Sequence, residues 1–197
     1  MSLDIAAFSL LKWHQGGRPV ESASEPAARV FFALVPPPSL RQALASLGRE
    51  IAQRAHGRAV PAENLHVTVA FVGAWPLSGL SQWIDAGVRC AAQPMHLTPD
   101  TLGGFRRAGV AWLGASVAPA PLLELGRSLN AELAGAGIAD ARPFHPHLTL
   151  ARKCRGPFPR ESVGPYEWDV DALALMQSLA DVADARYVVL RQWHLSS

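Results

Sequence analysis

Two stretches of this chain pass through the same order of elements and close on the same triplet, a constraint that few single-domain folds can satisfy. Val30 to Val35 is a short apolar, β-rich run broken by Pro36-Pro37-Pro38, and Ser39 can cap a helix that carries Leu40, Ala43, Leu44, Leu47 and Ile51 at helical spacing. His66 to Val72 then reads as a strand. Val110 to Leu113 is a second short strand, Pro119 and Pro121 punctuate, Leu122 to Leu133 has helical periodicity, and His147 to Ala151 is again a strand. Val30 precedes His66 by 36 positions and Val110 precedes His147 by 37. Two strand–helix–strand units of nearly equal length, each ending in His-x-Thr, predict a duplicated, pseudo-twofold architecture. A helix from Ser78 to Gln93, a strand from Met95 to Leu102 and two C-terminal strands, Asp169 to Leu179 and Arg186 to Leu195, fit around them.

Side chains alternate along a strand, so His66 and Thr68 share one face while Val67, Val69 and Phe71 share the other. His147 and Thr149 likewise oppose Leu148 and Leu150. Each polar pair is therefore held rigidly by an apolar back, and a pseudo-twofold brings both pairs to one central cleft. Two imidazoles can divide a displacement at phosphorus: one takes a proton from the attacking water and the other protonates the departing oxygen. Threonine hydroxyls can donate to the phosphoryl oxygens. This chemistry requires no metal or cofactor. The two units are too alike for the residues themselves to say which histidine is the acid.

A single His-x-Thr carries little weight, and His96-Leu97-Thr98 is a third example. It closes no strand–helix–strand unit and Pro99 interrupts it, so His96 is set aside. His145-Pro146-His147 places two imidazoles at a ligating spacing, but a zinc site wants three or four ligands and no carboxylate or cysteine accompanies them. Arg142, Arg152 and Lys153 bracket the second strand, and a guanidinium matches phosphate oxygens in a forked geometry. Arg152 has the wrong parity to share a face with His147 and needs a bulge or a strand end to reach the cleft. Phe31 and Phe32 must face opposite ways, one into the core and one free to stack on a base, with Phe32 the candidate for the base.

Composition limits the partners. The chain has 197 residues, a formal charge of +2 from 18 basic and 16 acidic side chains, and an apolar fraction of 49%. That is too little positive charge to coat a long duplex, although one nucleic-acid end or small anion remains within reach. Residues 1–28, rich in Gly, Pro, Ser and Glu from Gly16 onward, read as an N-terminal extension to a domain spanning 29–197. Ser2 to His14 could be a short docking helix or an unstructured arm. Cys90 and Cys154 suit free thiols, and no stretch reads as a leader or membrane span, so a cytoplasmic protein that stays off the membrane is expected.

The blocks RVFFALVPPPSLRQAL, ENLHVTVAFVG and RPFHPHLTLARK resemble the signature segments of the 2H phosphoesterases. Within that group they are most similar to the RNA 2′,3′-cyclic phosphodiesterases, also called 2′-5′ RNA ligases. The resemblance runs from about Arg29 to Leu195. It implies an α+β fold, bilobal, with two antiparallel sheets, helices outside and a central cleft. It also implies opening of an RNA terminal 2′,3′-cyclic phosphate to a 2′-phosphomonoester without metal. His66 would donate a proton to the leaving 3′ oxygen, His147 would activate water, and Thr68, Thr149 and Arg152 would hold the phosphate. The expected partner is an RNA 3′ end or nucleotide bearing a cyclic phosphate, taken up by a monomer. The same site could instead run reversible 2′-5′ ligation or act on a small cyclic nucleotide. A non-catalytic RNA-end binding module would more naturally carry one degraded motif, and here both are intact.

Overall fold

The computed structural model describes residues 27–90, 92–138, 144–179 and 186–196. Arg142 and most of the expected extension, residues 1–26, lie outside them. In chain order the elements are β1 (Ala27–Leu34), α1 (Pro38–Arg54), β2 (Arg58–Ala59), β3 (Val67–Pro76), α2 (Leu80–Arg89), β4 (Met95–Leu97), β5 (Thr101–Phe105) and β6 (Val110–Gly114). They continue with α3 (Ala120–Gly135), β7 (His147–Arg152), β8 (Trp168–Val170), β9 (Ala172–Leu179) and β10 (Arg186–His194). No helix among the described residues is long and apolar enough to cross a membrane.

The fold is α+β, and its two antiparallel halves meet edge to edge. One sheet runs β10-β9-β1-β3-β7-β6-β5, with β2 added alongside β7, and β4 and β8 form a separate pair. The halves join at β3 and β7 through a single register pair, Val67 with Leu148. Both are 1% exposed and belong to the main core. Leu148 lies 81 positions after Val67, the offset that also relates His66 to His147 and Thr68 to Thr149. The pseudo-twofold axis therefore passes between Val67 and Leu148, and the His-x-Thr triplets run antiparallel on either side of it.

Two of the three helices cross over to the opposite half. α1, which follows β1, packs on β7, and α3, which follows β6, packs on β3. Gly48 allows the first crossing, because a Cβ there would come within 3.2 Å of the Leu150 carbonyl oxygen. One apolar cluster consequently runs through both halves, from Leu44 and Ile51 of α1 to Leu125 and Leu129 of α3. Each half covers the other, so neither constitutes an independent domain.

Several boundaries move for local reasons. β1 starts at Ala27, two residues before the expected Arg29. α1 begins at Pro38 after Pro37, and no side chain caps it; proline at the first helical turn has its dihedral preset and lacks an N–H to satisfy, so Ser39 is not used as a cap. The long strand expected from Met95 to Leu102 is divided into β4 and β5 around Pro99, and that from Asp169 into β8 and β9. The expected helix Ser78–Gln93 is α2, preceded by a short 3-10 turn, Leu77–Gly79. His96 lies on the small sheet, where its ring bonds Asp169 Oδ1 at 2.7 Å and Glu167 Oε2 at 2.6 Å. The two carboxylates hold its pKa above the usual imidazole range, which makes it an ion-pair clamp between β4 and the chain around β8.

Candidate active site

Each catalytic candidate is fixed by the bond its inner ring nitrogen makes two residues upstream. His66 Nδ1–H donates to the Asn64 carbonyl at 2.7 Å, and His147 Nδ1–H donates to the His145 carbonyl at 2.6 Å. Asn64 and His145 are themselves 81 positions apart, so the duplication repeats the support as well as the ring. A carbonyl can only accept, so both neutral rings carry the proton on Nδ1 and leave Nε2 as the functional atom. Thr68 Oγ1 lies 3.0 Å from His66 Nε2 and donates to it when the ring is neutral. No described residue bonds His147 Nε2.

His66, Thr68, His147, Thr149 and Arg152 all line one cleft of about 470 Å³ between the two halves. The antiparallel alignment about Val67 and Leu148 sets His66 beside Thr149 and Thr68 beside His147. His66 is propped by Phe31 (ring centroids 5.0 Å) and by the edge of Tyr187 (5.0 Å). His147 is flanked by Phe105 at 5.1 Å and stacks on His145 at 5.8 Å. Among the described residues no three His, Cys, Asp or Glu side chains come together as metal ligands would.

Two β-bulges decide what else reaches the cleft. On β7, Trp112 pairs with Thr149 and Ala111 with Ala151, so Leu150 is the extra residue. On β3, Ala33 pairs with Thr68 and Phe32 with Ala70, so Val69 is extra. Val69 and Leu150 are again 81 positions apart. An inserted residue reverses the alternation beyond it. Val69 and Ala70 are consequently both buried, as are Leu150 and Ala151, and the next residue in each strand emerges on the His/Thr face. In β7 that residue is Arg152, which reaches the cleft by the bulge its parity required. In β3 it is Phe71, expected in the core but 52% exposed and part of the cleft wall.

Phe32 requires a correction. It is fully buried in the main core and lies against Trp193, so it cannot stack on a base. Phe31 is the ring on the cleft side, but at 5% exposure it supports His66 and is not open to ligand. The exposed phenylalanines of the cleft lining are Phe71 and Phe105, the latter 38% exposed. A period-two reading of β3 assigns Phe71 to the core, and Phe105, which ends β5, has no motif to mark it. Position 71 can be found by aligning the two units at the 81-residue offset, which sets it opposite Arg152.

The match to a family model described as the 2′-5′ RNA ligase superfamily spans residues 36–182, most of the chain. The chain belongs to this superfamily. Among similar proteins, an RNA 2′,3′-cyclic phosphodiesterase of Escherichia coli (strain K12) is 31% identical over 176 residues, covering 88% of this chain and 99% of the relative. One from Thermus thermophilus is 30% identical, covering 85% and 90% respectively. The crystal structure of E. coli LigT complexed with 3′-AMP superposes with a TM-score of 0.78 at 30% identity, covering 87% of this chain and 99% of that one.

In this superfamily member both histidines are held neutral in the free protein at neutral pH. Burial is the largest cause: it pushes His66 down to about 4, with the charges of Arg152 and His147 adding to it and the bond to Asn64 opposing it. Burial also lowers His147, helped by His145 and Arg152. The unfolded chain binds a proton on His66 below about pH 6.5 that the folded chain refuses until about pH 4, so stability falls as pH drops through that window. Replacing His66 with glutamine should remove this part of the slope, a relative gain of about 3 kcal/mol at pH 4 and none at pH 7.5. Urea unfolding of both proteins at pH 7.5, 5.5 and 4 checks it, and parallel curves would refute it.

Proposed function

We propose that the protein hydrolyses the 2′,3′-cyclic phosphate at an RNA 3′ end to a 2′-phosphomonoester, using its two histidines as base and acid without a metal. The observation that carries this reading is the pair of matched imidazoles lining one cleft, each tied by Nδ1 to a carbonyl so that Nε2 is left for the substrate. His147, whose Nε2 lone pair is unengaged by any described residue, accepts a proton from the attacking water. As the water oxygen bonds phosphorus, the bond to the 3′ oxygen breaks, and His66, which takes up a proton on Nε2 when the phosphate anion binds beside it, gives that proton to the departing oxygen. His147 ends protonated and His66 neutral, and exchange with solvent restores both. Thr68, Thr149 and the Arg152 guanidinium hold the non-bridging oxygens as charge gathers on them. Phe71 and Phe105 offer faces for the base. The same displacement forms a 2′-5′ phosphodiester when a ribose 5′-hydroxyl takes the place of water, which is the ligation the superfamily is named for. Cys90 and Cys154 are buried free thiols, in keeping with work in the cytoplasm.

The phosphate anion brings negative charge against both rings and raises their pKa values from the depressed values of the free protein. The optimum of kcat should therefore lie at higher pH than that of kcat/KM, since the first reports the complex and the second the free enzyme. Superimposable profiles would show that these histidines do not set the pH dependence. Turnover of a nucleoside 2′,3′-cyclic phosphate should persist in excess EDTA, with the 2′-phosphate as product by phosphorus NMR. Loss of activity on chelation with recovery on zinc would overturn the mechanism, and a 3′-phosphate product would reverse which oxygen His66 protonates.

A further inference from the structure

Beside the catalytic cleft lies a second, smaller recess of about 230 Å³ that shares His66, Thr149 and Arg152 with it but is not lined by Phe71 or Phe105. Its outer wall is cationic, made by Arg58, Lys153 and Arg152, with no carboxylate in the lining. Arg58 is the cross-strand partner of Arg152 in the β2–β7 pairing, which turns both side chains to one face of the sheet. Like charges placed directly opposite on a sheet are destabilising, and neither guanidinium is in an ion pair with a described carboxylate, although other arginines of this chain are. Lys153 sits at φ 55°, a left-handed backbone that a side-chain-bearing residue adopts at a cost. The amide of the next residue, Cys154, is held by the Gly109 carbonyl at 3.0 Å. Three cations thus line one recess with no carboxylate beside them, one of them already in the cleft lining, an arrangement that suits an anion.

We propose that this recess is a second phosphate subsite, receiving the phosphate on the 5′ oxygen of the nucleotide whose cyclic phosphate is opened. The inference rests on the reading of the catalytic cleft above and specifies its substrate: a nucleotide that carries a second phosphate, as the end of an oligonucleotide does and a simple cyclic nucleoside phosphate does not. Arg152 bridges the two positions, since it lines both recesses. The base is directed to the aromatic side and the rest of the chain to the cationic side, which gives the substrate one orientation.

The test compares three substrates with the same terminal base: a nucleoside 2′,3′-cyclic phosphate with a free 5′-hydroxyl, the same compound carrying a 5′-phosphate, and a dinucleotide ending in that cyclic phosphate. Charge-assisted contacts of this kind should give the wild-type protein a kcat/KM about 10-fold higher on the second and third than on the first. In Arg58→Gln and in Lys153→Gln that advantage should shrink several-fold, mainly through KM, while the first substrate is turned over within about 2-fold of wild type. A gain shared by the 5′-phosphate and the dinucleotide identifies the phosphate itself as the group recognised. A gain confined to the dinucleotide and abolished in the variants identifies an internal phosphodiester at the same subsite. Equal kcat/KM on all three substrates, or a preference that both variants retain, overturns the subsite while leaving hydrolysis of the first intact. Failure of the wild-type protein on all three overturns the reading of the catalytic cleft instead.

Discussion

Replacing His66 or His147 with alanine lowers turnover of a 2′,3′-cyclic nucleotide by at least about 100-fold, and by up to about 10⁴-fold, the range a positioned proton donor or acceptor supplies. The double variant should fall little below the worse single one, because acid and base act in one step and removing either leaves the other with nothing to complete. Binding of a 2′-phosphorylated product should change far less, since Thr68, Thr149 and Arg152 remain to hold it. Single-turnover rates together with product affinity from calorimetry separate the two effects. A variant that keeps wild-type turnover removes its residue from the chemistry. Equal losses in turnover and product affinity would mean that the ring serves only to bind.

The second large effect contrasts two phenylalanines of neighbouring strands. Phe32→Ala empties a fully buried position in the main core and should cost about 3–5 kcal/mol, lowering the thermal midpoint by roughly 10 °C. Phe71→Ala removes a ring that is already half in solvent and should leave stability within about 0.5 kcal/mol of wild type. Its effect belongs in kcat/KM, where the loss of a stacking face is worth about 1–3 kcal/mol, or several-fold to 100-fold. Thermal unfolding and steady-state kinetics on the same two proteins decide it. The reverse pattern, a stable Phe32→Ala with impaired catalysis, would restore Phe32 to the base site.

How much of the site is legible depends on whether a residue's face follows from local periodicity. His66, Thr68, His147 and Thr149 precede the bulges, where alternation holds, and the structure gathers them in one cleft as their parity requires. Phe71 and Arg152 follow the bulges, and a single inserted residue turns both over. For Arg152 the chemistry of a guanidinium beside a phosphate motif raises the question of a bulge. For Phe71 nothing does, because a phenylalanine in a β-rich run is most simply a core residue. Phe32 fails for the complementary reason: of two adjacent aromatics, alternation says only that they diverge, and which one faces the core is fixed by the sheets and helices packed on either side.

By itself the sequence determined the repeat, the two His-x-Thr triplets and the elements that present them, because these rest on short-range spacing and on the alternation of a strand. Only the tertiary structure decided that the two sheets fuse at Val67 and Leu148, that α1 and α3 each cover the opposite half, and that Arg58 comes to lie across from Arg152. Those facts depend on contacts between residues about 45 to 110 positions apart, whose energies come from shared burial and leave no periodic trace along the chain.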